Sequence, residues 1–297
     1  GGGTRGPRRM HQLARSVLVF DEIQSLPINC VHLFCNAVNF LTEHARTTAL
    51  LCTATQPLLN QLKNPDKGQL TIPPENELVE DVGNLFEKLK RVDIRNRIKP
   101  EGWTEEEIAE LALNEYQNKG SCLVIVNTKA WAQQLYIRCS QHLESESVFH
   151  LSTGMCPAHR KEKLAAIKQR LEDELPVLCI STQLIEAGVD VDFASVVRFL
   201  AGLDSIAQAA GRCNRNGKRR TAEVHVVNPA EEKIEQLIDI CEGRDKALRV
   251  FNEQEEDMLL SPEAMNLYFS YYFYRRAEEM VYRVSAKEAG RDDSLLN

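Results

Sequence analysis

Five short, largely apolar runs in this chain pass, each at its carboxyl end, straight into hydroxyl, amide or carboxylate side chains. Val17–Phe20 leads to Asp21-Glu22-Ile23-Gln24, and Thr48–Cys52 to Thr53-Ala54-Thr55. Cys122–Val126 leads to Asn127-Thr128, Val148–Leu151 to Ser152-Thr153-Gly154, and Val177–Ile180 to Ser181-Thr182-Gln183. Runs without polar alternation mark strands covered on both faces, as in parallel sheets. Helical stretches separate them, and two further runs, Val196–Phe199 and Val224–Val227, continue the alternation. An α/β fold with parallel sheets and helices on both faces follows. Such sheets bind ligands beyond the carboxyl ends of their strands. Asp21, Thr53, Asn127, Ser152 and Thr182 therefore collect at that edge, where short polar side chains and loop amides grip phosphates without reading sequence.

The connecting segments fit this plan. Leu33, Ala37, Phe40 and Leu41 form an apolar stripe at helical spacing, and residues 60 to 80 read as loop. Val92 to Ile98 reads as a strand leading out of a first domain. A new α/β unit opens near Gly102 with Thr104 as a helix cap and Glu107 three residues on, a capping box. Trp131, Leu135 and Tyr136 face inward on the next helix. Pro157 starts another, whose Leu164, Ile167 and Leu171 face the core while His159, Arg160, Lys161, Lys163, Lys168 and Arg170 lie outward. Residues 231 to 256 read as acidic amphipathic helix. Ser261-Pro262 then opens a helix bearing Tyr268, Phe269, Tyr271, Tyr272 and Phe273; aromatics can stack on unpaired bases, although at helical spacing they are usually core. The divisions expected are 1–98, 99–230 and 231–297.

The chain's 297 residues allow two ordinary domains. Nothing approaches the ~20 apolar residues of a membrane span. No signal segment opens the chain, and Gly1 to Pro7 reads as a flexible linker or an excised boundary. Nine cysteines without a C-x-x-C pair favour reduced thiols in a cytosol and argue against zinc. With a net charge of −7, contact with nucleic acid must come from local patches and loop amides.

The stretch Gln208-Ala-Ala-Gly-Arg212-Cys-Asn-Arg215 is the most specific. On a helix, Gln208, Arg212 and Arg215 are spaced i, i+4 and i+7, so one amide and two guanidiniums share a face suited to an anion. Small residues between them let that face approach another surface. A packing helix with ion-paired arginines is the plainer alternative.

Taken together, Asp-Glu-x-Gln after a strand, Thr-Ala-Thr after the next, Ser-Thr-Gln-x-x-Glu-Ala-Gly-Val-Asp-Val-Asp at 181–192 and Gln-x-x-Gly-Arg-x-x-Arg at 208–215 resemble superfamily 2 helicases. The Asp-Glu-Ile-Gln box, Met155–Arg160 and Ile185–Phe193 resemble the CRISPR-associated helicase-nuclease of type I systems. The resemblance spans roughly residues 15 to 275. It implies tandem RecA-like domains, the first incomplete, with a helical C-terminal extension. By this resemblance Asp21 holds the Mg²⁺ of ATP through water, and Glu22 polarises the attacking water. Gln24, Thr53 and Thr55 couple hydrolysis to movement. Arg212 and Arg215 correspond to arginine fingers at the γ-phosphate, with Gln208 nearby. Gly188 and Asp190 touch the nucleotide, while Thr128, Ser152 and Thr182 contact single-stranded DNA phosphates.

The implied activity is ATP-dependent 3′-to-5′ translocation on single-stranded DNA in CRISPR interference, in the cytoplasm and with a CRISPR surveillance complex as partner. No G-x-x-x-x-G-K-[ST] and no His-Asp dipeptide occurs in the chain. The family's phosphate loop and HD nuclease lie upstream, so the motor needs that half, whether in the same protein or in another chain. Readings left open are a restriction translocase, an RNA helicase and a hydrolysis-dead binding fragment.

Overall fold

The computed structural model describes residues 11–53, 55, 57–79, 81–186, 188–286 and 291–294. The expected linker Gly1 to Pro7, Ala54 of Thr-Ala-Thr and Ala187 of the 181–192 motif lie outside them. The chain divides into two compact units, Gly1–Val82 with Met265–Asn297, and Gly83–Ala264.

In the first unit, β1 (Val17–Asp21) pairs in parallel with β2 (Thr48–Cys52), bringing Asp21 opposite Cys52. Helix α1 (Val31–His44) connects them. Its buried stripe is Val31, Cys35, Val38 and Leu41, whereas Phe40 is 53% exposed. The expected stripe was therefore set at the wrong angle, since Val31 and Cys35 begin the buried face. The loop after β2 is pinned across α1 by side chains. His32 Nδ1 is 2.7 Å from Gly68 O, Asn36 donates to Lys67 O at 2.8 Å, and Asn39 donates to Gln69 O at 2.7 Å. Leu59, Leu62 and Leu70 are buried beneath it.

The second unit holds a six-stranded parallel sheet in the order β3-β8-β7-β4-β6-β5. Its strands are β3 (Val92–Asn96), β4 (Ser121–Val126), β5 (Val148–Leu151), β6 (Val177–Thr182), β7 (Ser195–Phe199) and β8 (Ala222–Val227). Between α1 and β3 lies α2 (Val82–Leu89); the later connections are α3 (Glu105–Lys119), α4 (Lys129–Ser140), α5 (Pro157–Glu172) and α6 (Leu203–Ala210). Every residue of β4, β6 and β7 is buried, the apolar majority together with Ser121, Ser181, Thr182, Ser195 and Arg198. The Thr104–Glu107 capping box starts α3. Trp131 and Leu135 sit in the core beside Val124, Ile180 and Phe199.

Three boundaries differ from the sequence expectation. The strand at 92–96 does not close the first domain: it pairs with β8 along its full length, so the break falls before it. Helix α7 (Ile238–Glu253) groups with the second unit, while residues from Met265 group with the first. Beyond α8 (Pro262–Arg275), Arg283–Ala286 and Arg291–Ser294 form an antiparallel pair in a region expected to be helical. On α8, Tyr268, Phe269 and Phe273 are buried, with Phe269 stacked on Phe273 and Tyr268 on the half-buried Tyr272, so these three aromatics serve as core.

Candidate functional site

In the first unit the structure brings the acidic box and the threonine motif together. Parallel pairing puts the ends of β1 and β2 side by side, so whatever follows each strand shares one edge. Glu22 then turns sharply into the left-handed region at φ 55°, an uncommon conformation for a side-chain-bearing residue. The 3₁₀ turn Ile23–Ser25 secures it, with Ser25 Oγ donating to Glu22 O at 2.7 Å. Asp21 Oδ1 accepts the Glu22 N–H at 3.0 Å, and both carboxylates remain exposed.

From Glu22 a side-chain relay runs to the second loop. Gln24 Nε2 donates to Glu22 Oε2, and the Thr53 hydroxyl faces Gln24 Oε1. Thr53 Oγ1 also lies 2.7 Å from Thr55 O and accepts the Thr55 N–H at 3.1 Å. Thr55 itself is buried. A carboxylate at one strand end is thus linked by hydrogen bonds to the loop after the neighbouring strand.

The arginine segment departs from the expected helix face. Helix α6 ends at Ala210, and Gly211 caps it. Arg212 O accepts from Phe193 N and Asn214 N donates to Phe193 O, a β-bridge that pulls the chain off the helical path. Asn214 takes φ 47° and ties the turn with side-chain bonds to Arg91 O and Arg219. Gln208, Arg212 and Arg215 therefore do not share a helical face; only Gln208 is on the helix. Arg212 is buried, with Nε donating to Ile185 O at 3.0 Å and Nη2 to Glu186 O at 2.5 Å. Arg215 is exposed: its Nε donates to Asp190 Oδ1 at 2.7 Å, and its backbone N–H to Asp192 Oδ1 at 2.7 Å. Gly188 holds φ 68°, which lets the loop reverse between the Arg212-bound carbonyls and Asp190. The structure thus brings Gly188, Asp190, Arg212 and Arg215 to one loop.

Thr128, Ser152 and Thr182 stand at the carboxyl ends of the adjacent strands β4, β5 and β6. Thr128 is the cap of α4, accepting Trp131 N–H at 3.3 Å. Ser152 and Thr182 are buried, and the Thr182 hydroxyl has no hydrogen-bond partner among the described residues.

Sequence reasoning missed the group that fixes this loop. Arg198, on β7 and wholly buried, has Nε 2.8 Å from Glu186 Oε1. Its Nη1 donates to Asn127 Oδ1 at 2.7 Å and its Nη2 to Ser205 Oγ at 3.0 Å; Ser205 in turn donates to Glu186 Oε2 at 2.7 Å. Asn127 also donates to Leu200 O and to Glu232 Oε2. Burial pushes the Glu186 carboxyl above its ordinary range, opposed by Arg198 and Ser205. An arginine inside Val-Val-Arg-Phe-Leu was the available signal, because a buried charge requires a partner.

A parallel sheet flanked by helices defines a RecA-like α/β fold. Residues 118–218 match the family described as CRISPR-associated nuclease/helicase Cas3, C-terminal. A CRISPR-associated nuclease/helicase Cas3 of Methanothermobacter thermautotrophicus is 32% identical over 104 residues, 35% of this chain and 12% of that protein. The crystal structure of T. fusca Cas3-AMPPNP is similar with a TM-score of 0.64 at 17% identity, covering 89% of this chain and 37% of that one. A chain of a CRISPR RNA-guided surveillance complex in its pre-nicking state gives 0.59 at 16% identity, with 88% and 39% covered. The chain spans well under half the length of the proteins it matches. The chain is thus similar to Cas3 proteins over residues 118–218 and shares their fold over most of its length. No helix among the described residues is long and apolar enough to cross a membrane.

Proposed function

We propose that the chain is part of an ATP-driven motor that moves 3′-to-5′ on single-stranded DNA in CRISPR interference. The relay Glu22–Gln24–Thr53 carries this reading, because a motor must transmit a change at the nucleotide to a segment that moves. In the proposed reaction Asp21 would hold the Mg²⁺ that accompanies ATP and neutralises its phosphate charge, and Glu22 would orient the attacking water. Arg215 exchanges Asp190 for the γ-phosphate as negative charge develops there. Arg212 acts beside it, and its bonds to the carbonyls of residues 185 and 186 set the loop that carries Gly188 and Asp190. Thr128, Ser152 and Thr182 meet DNA phosphates at neighbouring strand ends, where the Thr182 hydroxyl retains its capacity to bond.

Similarity to a nucleotide-bound Cas3 and to a chain of a surveillance complex supports ATP and such a complex as ligand and partner. The phosphate loop is supplied by a longer polypeptide or a second chain. The test joins this chain to a P-loop-bearing first half and measures ATP turnover with and without single-stranded DNA. DNA-stimulated turnover that drops at least about a hundredfold in Asp21→Ala and in Arg215→Ala is expected; loss of an arginine finger alone is worth about 10³–10⁵ in comparable enzymes. Unchanged turnover in both variants overturns the assignments.

A further inference from the structure

Away from the motor motifs, three side chains of the second unit converge. Glu115 projects from α3, while Glu223 and His225, two residues apart on β8, share a face of the sheet. One ligand-type atom from each lies within 4.8 Å of the others. The His225 ring is 2% exposed, and among the described residues neither nitrogen has a hydrogen-bond partner; nor does the buried Glu115 Oε2. His225 Nε2 stands 3.4 Å from Glu115 Oε1, long for a hydrogen bond. Buried imidazole nitrogens are ordinarily satisfied, so a ring aimed at two carboxylates without a bond of its own asks for a further partner.

We propose that Glu115, Glu223 and His225 bind one divalent transition-metal ion of the zinc class, tying α3 to β8. Bonds of about 2.0–2.2 Å put ligand atoms on one ion roughly 3–4 Å apart, so the widest-spaced pair of the trio must close by at most about 1–2 Å. The carboxylates have that freedom, with side chains 12% and 31% exposed. Glu223 keeps Oε1 on Arg95 Nε at 2.8 Å, the kind of outer contact that orients a ligating carboxylate, and offers Oε2 to the ion. Lys119 Nζ, 4.0 Å from that oxygen and 43% exposed, has solvent to turn into. One imidazole with two carboxylates suits zinc or manganese, whereas magnesium favours oxygen ligands alone. The cysteine pattern reads as an argument against zinc, but this ligand set uses no thiolate.

The test strips the chain of metal with chelator and titrates Co²⁺ as a spectroscopic probe, with Zn²⁺ in competition. One ion per chain is expected, with visible d–d absorption, no sulfur-to-metal charge-transfer band, and a rise in melting temperature with Zn²⁺. Glu115→Gln and Glu223→Gln should each weaken binding at least about tenfold, and Cys156→Ser should leave it unchanged. Circular dichroism of the metal-free variants establishes that they fold. Absence of stoichiometric binding, wild-type affinity in both glutamine variants, or a thiolate band that disappears in Cys156→Ser would each overturn the site.

Discussion

The two sheets are written in nearly the same residues and are covered very differently. Val-Leu-Val-Phe of β1 and Cys-Leu-Val-Ile-Val of β4 both read as strands with apolar residues on each face. Yet β4 is buried at every position, while Val17 and Val19 of β1 are 68% and 60% exposed. The second sheet has six strands with helices on both sides; the first has two, with Phe20 of β1 against Phe34 of α1 at 5.0 Å on one side. A strand's composition states what its faces tolerate. Whether each face is covered depends on neighbours that the strand does not encode.

The sharpest way to break the contrast is to attack what the second sheet alone possesses, a buried charge network. Arg198→Met should destabilise that unit by about 3–5 kcal/mol at neutral pH, because Glu186 is left buried without its partner. Trp103 and Trp131 are the chain's two tryptophans and both lie in that unit, so denaturant unfolding followed by their fluorescence measures the loss. The pH dependence has a definite sign. A carboxyl raised by burial opposes folding above its folded pKa and ceases to do so as it protonates, so the deficit of Arg198→Met should shrink as pH falls toward the ordinary carboxylate range.

A matched pair of substitutions sharpens the comparison next. Val124→Thr places a hydroxyl where nothing can bond it and should cost about 1–3 kcal/mol. Val19→Thr, the same change on an exposed strand, should stay within about 0.5 kcal/mol, read by hydrogen exchange in the first unit. Equal losses would refute the difference in covering. The smallest effect concerns the exposed Asp190–Arg215 pair. Asp190→Asn should change stability by no more than about 1 kcal/mol, and the difference should fade in high salt.

Much of this architecture was legible because period and punctuation are local properties. Alternating strand and helix, the Thr104 cap and the polar strand ends all follow from residues near one another in sequence. So does the pairing of the Asp21 box with Thr53, once two parallel strands are recognised. What was not legible depended on distant partners. Arg212 and Arg215 have helical spacing, yet the helix ends at Ala210 and Phe193 bridges to Cys213, diverting the backbone between the two arginines. The strand at 92–96 looks like the tail of the preceding domain, and only β8 determines which sheet it joins. His225, inside an apolar strand, carried no periodic signal that Glu115 would meet it.

The pairing of β3 with β8 also bears on how the chain is made. Val92 stands against Ala222, with the other four strands of that sheet encoded between them. During synthesis the first of these strands emerges long before the last, and closing so long a loop is entropically slow. An unaccompanied edge strand thus waits while the four intervening strands are made, an exposed backbone edge open to mispairing until residue 227 has left the ribosome.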